Sequence, residues 1–172
     1  MSHYLFLLRH AKSDWNINVG DHERPLSKRG RNSASAIGHW MQQQQLIPEK
    51  IIVSTAERAM QTCLYLQEGL HNMLDTPDQS RELYLADSET MLDIIAEQDD
   101  RTQSLMLIGH NPGMDELLSY LCGGDLPYTD NGKLMTTATL AVIELENGWN
   151  HINAAENSLI ELVRPRELAN SR

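Results

Sequence analysis

The chain has 172 residues, 41% of them hydrophobic, and carries a formal net charge of −10. That length supports one full hydrophobic core, so a single domain over residues 1–172 is expected. The acidic balance argues against nucleic acid or an anionic membrane surface as main partner, and any site for an anion must be a local cluster of cations. Few apolar residues precede Arg9, and no apolar run nears the ~20 residues that span a bilayer, so a cytoplasmic location is expected. The two cysteines, Cys63 and Cys122, stand far apart in no metal-like spacing and read as reduced thiols.

Tyr4-Leu5-Phe6-Leu7-Leu8 is an unbroken apolar run followed by Arg9-His10, which predicts a strand buried on both faces with a cationic pair at its end. A long polar loop over 13–26 follows, and Ser27 predicts the N-cap of a helix carrying Ala34, Ile37 and Met41 up to Gln42–Gln45. Lys50–Ser54 predicts a second buried strand. From Thr55 the spacing of Ala59, Cys63, Leu66 and Leu70 predicts a helix with Arg58 in its first turn, where free N–H groups and the macrodipole already favour an anion. A loop around Pro77 and a short extended piece over 82–85 come next. Asp87 or Ser88 then caps a helix to about Gln98, and Ser104–Ile108 predicts a third buried strand. It ends in Gly109-His110-Asn111-Pro112, with Asn111 expected as N-cap and Pro112 as first residue of a helix through Met114, Leu117, Leu118 and Leu121. Residues 139–144 and 158–163 predict two further strands, with a hairpin turn at Asn147-Gly148. Strands alternating with helices predict an α/β three-layer sandwich, a mostly parallel central sheet flanked by helices.

Arg9 with His10, Arg58 and His110 all fall at the ends of predicted strands, the edge where open α/β sheets place their ligands. Arginine offers a rigid fork for phosphate oxygens, and histidine a nitrogen that can attack phosphorus. Cations beside each histidine would repel a divalent ion, and no His-x-x-x-His or carboxylate cluster accompanies them, so no metal is expected. There is no Gly-x-Ser-x-Gly turn for a serine nucleophile and no P-loop glycine pattern.

Leu8-Arg9-His10-Ala11-Lys12, Arg24-Pro25-Leu26-Ser27-Lys28-Arg29-Gly30, Ser54 to Thr62 and Ile108-Gly109-His110-Asn111-Pro112 resemble, in this order, the four signatures of the histidine phosphatase superfamily. Within it the chain is most similar to the compact SixA-type phosphohistidine phosphatases. The resemblance implies the phosphoglycerate mutase-like fold, His10 as nucleophile, Arg9 and Arg58 as phosphate clamp, and His110 as the second histidine steadying the transferring group. Arg24 matches an arginine that lines the phosphate pocket in SixA-type members. No metal or organic cofactor is implied. The family's usual Arg-His-Gly reads Arg-His-Ala here, and alanine is small enough for the loop to survive.

The candidate general acids are Asp21, three residues before Arg24, and Glu82, in the region where larger members carry a carboxylate. An alcohol leaving group needs such a proton, whereas a protonated imidazole leaves readily. The expected activity is therefore a phosphohistidine phosphatase working through phospho-His10. The alternatives are a small-molecule phosphatase acting on esters or anhydrides, and a phospho-ligand binding module without turnover. The expected partner is a phosphorylated protein or a small phosphorylated metabolite.

Overall fold

A computed structural model describes residues 2–170 of the chain. The elements run β1 (His3–Arg9), α1 (Lys28–Gln43), β2 (Lys50–Ser54), α2 (Glu57–Gly69), β3 (Asp78–Ser80), α3 (Ser88–Ala96), β4 (Ser104–Gly109), α4 (Gly113–Cys122), β5 (Leu140–Leu145), β6 (Ser158–Val163) and α5 (Pro165–Asn170). The strands form one sheet in the order β3-β2-β4-β1-β5-β6, parallel from β3 to β1 and antiparallel at β5 and β6.

The unbroken apolar runs have a simple cause. In β1, Leu5 and Leu7 enter one core while Phe6 and Leu8 enter the other; in β4, Leu105 and Leu107 part from Met106 and Ile108 in the same way. Successive side chains point to opposite faces, and both faces are covered. Met91 and Ile95 of α3 and Leu117 and Leu121 of α4 close the first face. Ile37 and Met41 of α1 and Cys63 and Leu66 of α2 close the second. Among the described residues no helix is long and apolar enough to cross a membrane.

Ser27 caps α1 as predicted, its hydroxyl accepting from Gly30 N at 3.1 Å. Gly30 is required there because a Cβ would stand 2.1 Å from the Lys12 carbonyl oxygen. The first turn of α1 therefore rests directly on the loop that leaves β1.

Four sequence expectations are corrected. Residues 82–85 are not extended; Tyr84 N donates to Arg81 O at 3.0 Å and Ala86 N to Leu83 O at 3.3 Å, and Leu85 takes φ +53°. The nearby strand is instead β3, a polar segment without apolar alternation that is held by pairing with β2. At α4, Pro112 is the N-cap and Gly113 the first residue, although the Asn111 side chain still accepts from Asp115 N at 3.2 Å. Asn147-Gly148 makes no two-residue hairpin: residues 146–157 connect β5 to β6, because Trp149 turns back into the core, 1% exposed, and donates from Nε1 to Thr102 O at 2.7 Å.

Candidate active site

The sheet order places β4 between β1 and β2, and the register makes Arg9 the neighbour of Gly109 and Val53 the neighbour of Ile108. Three strand ends therefore stand side by side. His10, Ser54 and His110 emerge from them, and Arg58 enters from the first turn of α2. A cavity of about 220 Å³ opens at this edge, lined by Arg9, His10, Arg24, Arg58 and His110 among others.

His10 is buried, and its Nδ1 donates to its neighbour's carbonyl, Ala11 O, at 2.8 Å. That bond leaves Nε2 as the lone-pair nitrogen. Burial is the main cause that pushes the imidazole down to about 4; the Ala11 bond opposes it, and Arg58, Arg9 and Arg24 add to it. The ring is thus neutral at ordinary pH, the form a nucleophile needs.

His110 stands with its ring centroid 5.2 Å from that of His10. Its Nε2 lies 2.7 Å from Ser54 Oγ, and its buried Nδ1 has no partner. Burial first, then the charges of His10 and Arg58, push it down to about 3.

Arg9 donates from Nη1 to Met135 O at 2.9 Å, and Arg58 from Nη1 to Asp21 O at 2.7 Å and from Nη2 to Asp21 Oδ2 at 3.1 Å. The Nε atoms of both arginines are buried and unpartnered. Among the described residues four buried side-chain polar atoms lack a partner, and three of them belong to Arg9, Arg58 and His110. Unpaired buried polar atoms are costly, and two of these three are arginine N–H donors, so the site suits an acceptor that arrives with its own charge. Arg24 completes the cationic wall, donating from Nε to Ser13 Oγ at 3.0 Å and stacking its guanidinium 3.7 Å from the Trp15 ring centroid.

The two candidate acids are placed differently. Asp21 does not line the cavity but braces it: Arg24 Nη1 donates to Oδ1 at 2.6 Å, while Arg58 Nη2 and the Tyr84 hydroxyl share Oδ2. The Tyr84 bond above all, then those from the two arginines, hold its carboxyl far below the usual carboxylate range. These bonds favour the ionised, accepting form of Asp21. Glu82 is exposed in the 81–85 turn and is not among the cavity's lining residues. Among the described residues no carboxyl group lines the cavity.

Ala11 is fully buried among Leu26, Ala34 and Ala138, with its amide donating to Thr62 Oγ1 at 2.9 Å. It is not at positive φ, so a Cβ costs nothing there. The sequence reading did not single out Tyr84, Leu85 or Thr137 for the site, nor Ser54 or Thr62 for its support. Tyr84 reaches the edge of the His110 ring, centroids 5.5 Å apart, through a turn that carries no periodic signal. Among the described residues no group of three or more His, Cys, Asp or Glu could hold a metal ion.

The profile of the histidine phosphatase superfamily (branch 1) matches residues 5–105. A solved structure from Agrobacterium tumefaciens, assigned as a phosphohistidine phosphatase SixA, is 32% identical; the match covers 95% of this chain and 99% of that one, with TM-score 0.79. Phosphohistidine phosphatase SixA of Escherichia coli is 24% identical over 148 residues, 85% of this chain and 88% of its own length. A mycobacterial glucosyl-3-phosphoglycerate phosphatase shares the fold at 17% identity, covering 93% of this chain and 98% of its own, with TM-score 0.63.

Proposed function

We propose that this chain, which belongs to the histidine phosphatase superfamily, hydrolyses the phosphoramidate bond of a phosphohistidine, passing the phosphoryl group first to Nε2 of His10 and then to water. The family makes the chain a phosphatase that works without a cofactor.

In the proposed course the lone pair on His10 Nε2 forms a bond to phosphorus as the substrate's P–N bond breaks. The reactive substrate is the form whose other ring nitrogen has taken a proton from solution, so the electrons of the broken P–N bond stay on a ring that leaves as neutral imidazole. Arg9 and Arg58, with Arg24 at the wall, take the phosphoryl oxygens, and His110 supports one of them. Each charge-assisted bond is worth roughly 1.5–3 kcal/mol, and phosphoryl transfer asks for little beyond position and charge. Water then attacks phospho-His10, releasing phosphate and restoring the ring.

One observation carries the choice of substrate. The cavity has a wall of cations and, among the described residues, no carboxyl group, and the candidate acid Asp21 is tied to two arginines and favoured in its ionised form. An ester's alkoxide needs a proton in the transition state; a protonated imidazole does not. The phosphoryl carrier is then a phosphorylated protein, and the proposed place of action is the cytoplasm. A second reading is hydrolysis of a small phosphate ester or anhydride, whose leaving oxygen would have to be served from the cavity rim, where Lys12 also lies.

The test pairs a phosphohistidine-bearing protein with an aryl phosphate. The wild type should dephosphorylate the first faster, His10→Ala should lose at least about 1,000-fold on both, and rapid quenching should leave acid-labile phosphate on the wild type alone. Equal rates for wild type and His10→Ala overturn the mechanism. Faster turnover of esters favours the second reading.

A further inference from the structure

Ser54 is the last residue of β2 and fully buried, and its hydroxyl has a tightly limited set of partners. Ala56 N donates to its Oγ at 3.3 Å, and the His110 Nε2 lies 2.7 Å away. A hydroxyl holds one hydrogen and two lone pairs. Ala56 uses a lone pair, and among the described residues His110 Nε2 is the one acceptor in hydrogen-bond reach of the hydroxyl hydrogen.

From this geometry we infer that Ser54 is a positioning residue: it donates to Nε2 of His110 and so holds the proton of that neutral ring on Nδ1. Nδ1 is the buried, unpartnered atom of the ring. As a donor it joins Arg9 Nε and Arg58 Nε, the two other unpartnered buried donors of the site. With the opposite tautomer Nδ1 would present a lone pair instead, and a phosphoryl oxygen would be repelled there. The low proton affinity of the ring, pushed down to about 3 mainly by burial, keeps the two tautomers distinct, because a doubly protonated ring would need no such choice. His10 and His110 are thereby set in opposite senses: Ala11 O takes the Nδ1 proton of His10 and frees Nε2 to attack, while the Ser54 hydroxyl occupies Nε2 of His110 and leaves Nδ1–H to donate.

This inference rests on the phosphatase reading only for its consequence, so the test separates the two. Long-range ¹H–¹⁵N correlation spectra of histidine-labelled free protein at neutral pH, with His110 assigned through His110→Gln, report the tautomer without any substrate. Wild type and Ser54→Thr, which keeps the hydroxyl, should show His110 protonated on Nδ1. Ser54→Ala should populate the Nε2–H form and lose about tenfold or more in kcat on an aryl phosphate, with KM little changed. A wild-type ring protonated on Nε2, or a Ser54→Ala ring unchanged from wild type, overturns the inference, whatever substrate the enzyme proves to prefer. Should Ser54→Ala fail to fold, the wild-type tautomer alone decides.

Discussion

His10 shows how far a neighbourhood moves one side chain. Because its imidazole is pushed down to about 4, mainly by burial, the neutral nucleophile persists well below the usual histidine range. The acid limb of kcat/KM, corrected for the substrate's own titration, should therefore fall near pH 4; half-activity at 6.5 would contradict it. Asp21 makes a second residue-level case. Since it is ionised and spends both oxygens on Arg24, Arg58 and Tyr84, Asp21→Asn should loosen the clamp and lower kcat/KM by roughly 10- to 100-fold, through one or two weakened charge-assisted bonds. The loss should be the same for good and poor leaving groups. A loss that grows as the leaving group worsens would make Asp21 the acid after all.

At the scale of elements, the signatures read in the sequence turn out to brace one another. Leu26 N donates to Gln61 Oε1 at 2.8 Å, Ser27 N to Lys12 O at 2.9 Å, and Thr62 Oγ1 accepts from Ala11 N while donating to Arg58 O at 2.6 Å. Thr62 thus ties the loop after β1 to the first turn of α2. Thr62→Val keeps the shape but strands a buried amide, which should cost about 1–3 kcal/mol of stability in urea titration and lower kcat as well. The α1–α2 crossing depends on two glycines: a Cβ at Gly38 would meet Leu66 O at 2.2 Å, and one at Gly69 would meet Ser35 O at 2.2 Å. Gly38→Ala should lower the urea midpoint by the equivalent of about 1–3 kcal/mol, while the activity of the folded fraction is retained. An unchanged midpoint would mean the helices part without cost.

For the whole molecule the same burial has a thermodynamic side. His10 and His110 bind protons less readily folded than unfolded, so between their folded values, about 4 and about 3, and the ordinary 6.5 the unfolded chain holds more protons. Their contribution to stability is complete above pH 6.5 and is lost as pH falls, at up to roughly 1.4 kcal/mol per pH unit for each ring. Asp21, also depressed, adds a loss at still lower pH. The melting temperature should therefore drop from pH 6.5 toward 4, and less steeply in a His10→Gln, His110→Gln double variant. An identical slope in that variant would place the sensitivity elsewhere.

The sequence by itself determined what is written in local period and residue chemistry. The runs at Tyr4–Leu8 and Ser104–Ile108 announce doubly buried strands because both faces of the sheet are covered, and the cations at their ends follow from where strands stop. It did not determine the turn over 81–85 or the excursion of Trp149, since neither has a period to read. Only the tertiary structure decided that β4 lies between β1 and β2, that Asp21 is a charged brace, and which nitrogen of each histidine is taken. Those facts depend on hydrogen bonds and burial between residues up to about a hundred positions apart. A pattern along one chain reports which face a side chain takes; only the packed sheet decides what it meets there.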